Sequence, residues 1–83
     1  MILVEIHTAA TGSYYDMQLD EKLECGLLAQ KCLDILCRYL GLTEKTSLTR
    51  HPVFISLRQK RILPEKNTME QCGIKNGDRL ILA

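Results

Sequence analysis

Cys72-Gly73-Ile74-Lys75-Asn76-Gly77-Asp78-Arg79-Leu80-Ile81-Leu82-Ala83 closes the chain. Asn76-Gly77 is a strong turn signal, because these two residue types tolerate the positive φ that a tight reversal demands. Leu80 and Leu82 follow with the two-residue period of a strand that buries one face. The stretch therefore reads as a turn that launches a final apolar strand, with Gly77 supplying the positive φ.

The opposite end of the chain shows the same period. Ile2, Val4 and Ile6 alternate with Leu3, Glu5 and His7. After the turn residues Thr11-Gly12-Ser13, the residues Tyr15, Met17 and Leu19 stand opposite Tyr14, Asp16 and Gln18, so a hairpin is the economical reading. From Glu24 to Leu40 the period lengthens. Leu28, Cys32, Ile35, Leu36, Tyr39 and Leu40 fall on one helical face, while Gln30, Lys31, Asp34 and Arg38 occupy another. Asp20, Glu21 and Glu24 place negative charge at the helix start; with Glu24 as cap, Leu23 and Leu28 have the spacing of a hydrophobic staple. Gly41 is suited to end the helix, with Leu42 folding back on it.

Thr43 to His51 is polar, and Pro52 then forces an extended backbone into a third strand at Val53-Phe54-Ile55-Ser56-Leu57. A polar corner at Gln59-Lys60-Arg61 precedes the short apolar pair Ile62-Leu63, and Pro64 stops further pairing. Thr68 is placed to cap a short helical turn. The predicted order is strand, strand, helix, strand, short strand, turn, strand, without internal repeats.

At 83 residues, with 46% hydrophobic and 25% charged side chains, the chain has material for one small core, and residues 1–83 are expected to form a single domain. A large catalytic cleft would compete with that core for apolar residues. The first residues lack a signal peptide's basic segment, and no apolar run nears the roughly 20 residues of a membrane span. A cytoplasmic protein without direct membrane insertion is the expectation. A net charge of +1 offers no general attraction to nucleic acid, so none is expected as a partner.

The element order resembles the ubiquitin-like β-grasp, an α+β fold in which a mixed sheet of four to five strands wraps around one helix. The run from Ile62-Leu63 through Thr68-Met69 and Cys72-Gly73-Ile74 to Leu80-Ile81-Leu82 is similar to the second half of ubiquitin. Cys72 to Leu80 is similar to the YukD/EsaB family, small ubiquitin-like proteins associated with bacterial type VII (WXG100) secretion systems. Ubiquitin and the sulfur carriers extend past the last strand to a Gly-Gly end whose carboxylate is activated. This chain stops at Leu82-Ala83, so the expectation is a non-conjugatable adaptor. A Gly-Gly encoded beyond Ala83 would revive a carrier or modifier that works by its carboxylate.

Side-chain chemistry gives little to an enzyme. Cys32 and Cys37 lie five residues apart, roughly 140° around a helix, and cannot share an ion there. Cys25 and Cys32 share a face that Cys72 is able to approach, leaving a small metal or redox domain as an alternative, but buried structural thiols are the expected reading. Neither His7 nor His51 is accompanied by the partners that would make a nucleophile of a thiol. No catalytic residue, metal or cofactor is therefore assigned. Arg58, Lys60 and Arg61 have a sufficient role in keeping an edge strand from unwanted pairing.

A protein-binding surface remains. With Ile2, Val4, Ile6, Leu80 and Leu82 facing the helix, the alternation is expected to send Leu3, Glu5, Ile81, Phe54 and Ser56 to the other side of the sheet, where the β-grasp order brings Leu3, Ile81 and Phe54 together, rimmed by Arg58 and Arg79. The resemblance implies that this is the face ubiquitin uses for recognition. Protein partners, among them components of a type VII apparatus, are the expected occupants, and a homodimer contact is the other use of such a cluster.

Overall fold

The two alternating segments at the start of the chain pair as an antiparallel hairpin of β1 (Ile2–Thr8) and β2 (Tyr14–Leu19), with Ile2 opposite Leu19 and His7 opposite Tyr14. The computed structural model describes residues 1–8, 12–39 and 51–83. The expected helix stop at Gly41-Leu42, the residue Leu40, most of the Thr43 to His51 loop and Thr11 of the turn lie outside the described residues. The remaining elements are α1 (Cys25–Tyr39), β3 (Phe54–Ser56), β4 (Arg61–Ile62) and β5 (Arg79–Leu82). The strands form one five-stranded sheet in the order β2-β1-β5-β3-β4. β1 and β5 run parallel, and the other pairs are antiparallel. One helix on one mixed sheet is the α+β architecture that the alternation and the single helical period predict.

Helix α1 is seated by its first turn. The amide of Cys25 donates to the carbonyl of Asn67 at 2.8 Å and that of Gly26 to Glu65 at 2.9 Å, so backbone from the 64–67 turn satisfies donors that have no partner within the helix. Glu24 precedes the helix, and its carbonyl accepts the bond from Leu28 at 3.0 Å. The approach is close enough that a Cβ on Gly26 would stand 3.1 Å from Cβ of Glu65. A side chain there would press on the 64–67 turn, which would have to give by a few tenths of an ångström.

The buried face of α1 is Cys25, Leu28, Ala29, Cys32, Leu33, Leu36 and Cys37. It is rotated from the expected stripe: Ile35 is 52% exposed and Tyr39 75% exposed. Cysteine and alanine are small enough to bring the helix close to the sheet, so the stripe centres on them and the larger Ile35 and Tyr39 fall at its margin. Tyr39 still meets Tyr15 edge-on, with ring centroids 5.7 Å apart.

The main correction concerns β3. Phe54 is expected on the outer face, yet it is 1% exposed and Ser56 is buried beside it. Phe54 stands opposite Leu82 and Ser56 opposite Leu80, and directly opposed residues share a face. Because Leu80 and Leu82 point to the helix, Phe54 and Ser56 must as well, and Ile55 turns outward. Ser56 is tolerated inside because its Oγ accepts the Gln59 amide at 3.1 Å, and its carbonyl accepts that of Lys60 at 2.7 Å. The corner these bonds close holds Lys60 at φ 55°.

Thr68 to Ile74 forms one capped reversal. Thr68 Oγ1 accepts the Gln71 amide at 3.0 Å while Gln71 Oε1 accepts that of Thr68 at 2.9 Å, a reciprocal capping box. At its other end the Ile74 amide reaches the Met69 carbonyl at 3.0 Å and the Gly73 amide reaches that of Glu70 at 3.1 Å. With Gly73 at φ 75°, these are the two bonds of a Schellman closure, and Met69 and Ile74 make its buried apolar contact.

Phe54→Ala is expected to cost about 3–5 kcal/mol of stability and Ile55→Ala about 1–2 kcal/mol, read from urea denaturation midpoints. The reverse ranking would contradict the register. Gly73→Ala should cost about 1–2 kcal/mol by the same measurement, since the added methyl group meets a left-handed backbone rather than a lack of space.

Candidate protein-interaction face

Register lines up one row of outward side chains across the whole sheet. Tyr14 stands opposite His7, His7 opposite Ile81, Ile81 opposite Ile55, and Ile55 opposite Ile62. The His7 ring stacks on Tyr14 with centroids 5.3 Å apart, and Ile62 at the far end is 61% exposed. Helix α1 belongs to the core on the other face, with Val4, Ile6, Leu80 and Leu82.

The neighbouring row is charged. Asp16 pairs with Glu5 and Glu5 with Arg79, and Arg79 Nε lies 3.0 Å from Glu5 Oε2. His7 Nε2 is 3.4 Å from the same carboxylate oxygen. Leu57 closes this row, its amide donating to the Arg79 carbonyl at 3.1 Å.

The five residues expected to form one cluster are thereby separated. Ile81 lies in the centre of the apolar row. Leu3 is exposed but sits four residues from His7 along β1, about 13 Å, beyond the Glu5–Arg79 pair. Phe54 is in the core. Arg79 borders the apolar row, held by Glu5. Arg58 turns back on the final turn: Nε donates to Asp78 Oδ1 at 3.0 Å and Nη2 donates to Asp78 Oδ2 at 2.8 Å and to the Gly73 carbonyl at 2.6 Å. It is a fastening of the chain reversal rather than a rim cation. Ile55, Ile62, His7 and Tyr14 are the residues that the sequence reasoning missed. Pairing β3 against Leu80 and Leu82 would have found the first two.

All four cysteines are buried and free, so none of the thiols reaches this face. Burial, and after it the neighbouring Cys72, pushes the Cys25 thiol up to about 12. Burial alone pushes Cys32 up to about 11. Both stay protonated at neutral pH. Among the described residues, no three His, Cys, Asp or Glu side chains converge as metal ligands, and no helix is long and apolar enough to cross a membrane.

Comparison with known proteins rests on shape, since the sequence matches no family model and no curated protein. The ubiquitin of Caldiarchaeum subterraneum superposes with a TM-score of 0.66 at 18% identity, over 98% of this chain and 89% of that one. The fold is ubiquitin-like. The ubiquitin-like domain of the Mycobacterium tuberculosis type VII secretion system protein ECCD1 superposes with a TM-score of 0.73 at 17% identity, over 99% of this chain and 96% of that chain. The EccD5 ubiquitin-like domain from Mycobacterium xenopi gives 0.70 at 18%, over 99% and 91%. In this ubiquitin-like frame the apolar row crosses the middle of the open sheet face, and the Arg58–Asp78 tie lies at the end where β5 begins.

That tie sets an acid sensitivity. The Arg58 hydrogen bond, ahead of the Lys75 amide, holds the Asp78 carboxyl below the usual carboxylate range. A carboxyl depressed in the folded state adds stability that is present above its unfolded value, near about 4, and is lost as pH falls through the folded value. Wild type should therefore lose more stability than Asp78→Asn between about pH 5 and pH 2, as followed by urea midpoints at each pH. Parallel curves for the two proteins would show that the tie contributes nothing.

Proposed function

We propose that this chain is a ubiquitin-like adaptor that works by protein contact through its outer sheet face, in the cytoplasm, in or beside a type VII secretion apparatus. The observation that carries the contact is the row Ile81–Ile55–Ile62, apolar and continuous in register, with its end open to solvent. Surface hydrophobics scattered singly need no explanation, whereas a registered line of them rimmed by the Arg79–Glu5 pair has the makings of an interface centre with a polar margin. Support for the setting comes from the likeness to two EccD ubiquitin-like domains over nearly the whole chain and from the YukD/EsaB resemblance of Cys72 to Leu80.

Ile62→Glu and Ile81→Glu test this reading. Ile62 is largely in solvent, so its charged variant should keep the thermal midpoint within a few degrees. Both variants should lose, by about tenfold or more, the recovery of secretion-apparatus components in affinity purification from cells that encode such an apparatus. Equal recovery by wild type and both variants would remove the face from the function. Sedimentation of the isolated protein distinguishes a homodimer built on the same row.

A further inference from the structure

Three sulfur atoms converge inside the core, where the start of α1 meets the capped reversal. Cys25 Sγ lies 3.8 Å from Cys72 Sγ and 3.8 Å from Met69 Sδ. Cys25 is the first residue of α1, whereas Met69 and Cys72 belong to the 68–74 reversal. The backbone that carries them is tied on both sides of the contact. The Cys25 amide ends on Asn67, and Glu24 bridges to Thr68. The Glu70 amide donates to the Glu21 carbonyl at 2.9 Å, which fastens the reversal to the chain just ahead of the helix. The Cys72 amide donates to the Thr68 carbonyl at 3.0 Å, and its own carbonyl accepts Nε2 of Gln59 at 2.7 Å.

Apolar packing accounts for the burial of each residue, but it does not require their sulfurs to meet. Sulfurs bound at about 2.3 Å to one metal ion, with angles of about 109–120° between them, stand roughly 3.8–4.0 Å apart. Both separations fall at that spacing, so Cys25 and its two neighbours need little movement to share an ion. The donor set decides which ion. Two thiolates and a thioether are soft ligands, which select copper(I). Zinc in a closed site takes four nitrogen, oxygen or thiolate donors, and among the described residues no third His, Cys, Asp or Glu joins the two thiols. At about 1.5 Å per residue, Cys32 and Cys37 lie roughly 10 and 18 Å further along the helix, too far to contribute. The three residues are at most 4% exposed, which leaves no room for the water ligands that a harder ion keeps.

We propose that Cys25, Cys72 and Met69 form a binding site for copper(I), closed by the contact between the helix start and the 68–74 reversal. Binding exchanges two S–H bonds for two sulfur–copper bonds; both protons pass to solvent, and the metal stays in its +1 state. The site then carries one net negative charge. The N-terminal end of α1 offsets it, as does Arg61, whose positive charge acts on Cys25. Elements distant in sequence supply the ligands, so only the folded chain assembles the set. The site is independent of the outer sheet face and of the setting proposed for it.

The test is titration of the full chain with copper(I), added without oxygen as its acetonitrile complex, in competition with the chelator bicinchoninate. One ion per chain is expected, with X-ray absorption showing sulfur neighbours at about 2.3 Å. Because the folded state assembles the site, the ion should raise the thermal midpoint by about 5 °C or more. Met69→Leu nearly conserves volume and keeps both thiols, yet should weaken affinity by about tenfold or more. Cys25→Ala and Cys72→Ala should each weaken it further, while Cys37→Ala should leave it unchanged. Circular dichroism confirms that each variant folds. A midpoint lowered by copper(I), as binding to the thiols of the unfolded chain produces, would overturn the proposal. So would equal affinities for wild type and Met69→Leu, or displacement of the copper by equimolar zinc(II).

Discussion

Strand β5 has four residues and must pair in parallel with β1 on one side and antiparallel with β3 on the other. Its register is set before it begins, by the turn at 75–78. The Leu3 amide donates to Oδ1 of Asn76 at 2.8 Å, Leu3 receives the Gly77 amide, and Asp78 accepts from Glu5. Those three bonds fasten the turn to β1 at a fixed point, and everything downstream counts from there. A slip of one residue would expose Leu80 and Leu82 and bury Arg79 and Ile81. Since β3 is aligned on β5 and β4 on β3, the slip would propagate to the end of the sheet.

The turn is itself held from the rear. Arg58, leaving β3, grips Asp78 with two nitrogens and the Gly73 carbonyl with one of them, joining the Schellman closure to the final turn. Asp78 also accepts from the Lys75 amide at 3.0 Å. An exposed ion pair contributes little by itself. Here its worth is positional, because the same guanidinium limits how two consecutive reversals sit against each other. The helix joins this frame through Cys25 and Gly26, whose amides end on Asn67 and Glu65 just ahead of the same region.

Strict alternation made the hairpin readable, and Asn76-Gly77 with Gly73 marked both reversals of the closing segment. Those signals work because each requires a residue type at one position: an apolar side chain at every second place, or a backbone able to reach positive φ, as Gly73 and Gly77 do. β3 was less legible because Val53-Phe54-Ile55-Ser56-Leu57 is apolar on both faces, and serine biases the choice toward the wrong one. Its hydroxyl meets a local amide from Gln59, a contact that the strand pattern does not encode. The helix stripe went astray for a related reason. Helical spacing by itself favours a stripe through the bulkier Ile35 and Tyr39, whereas the small Cys25, Ala29 and Cys37 let the helix approach the sheet and so take the buried positions. The interaction row depended on both readings, so Ile81 alone of its centre was identified beforehand.

Three sulfur atoms meet where the helix start packs on the capped reversal: Cys25 Sγ lies 3.8 Å from both Met69 Sδ and Cys72 Sγ. All three residues are buried. An oxidant in solution reaches them only when the helix start lifts away, and any oxygen then added to Met69 or to a thiol is a polar group with no place in the closed core. Oxidation at these sulfurs and closure of the helix start onto the reversal therefore oppose each other.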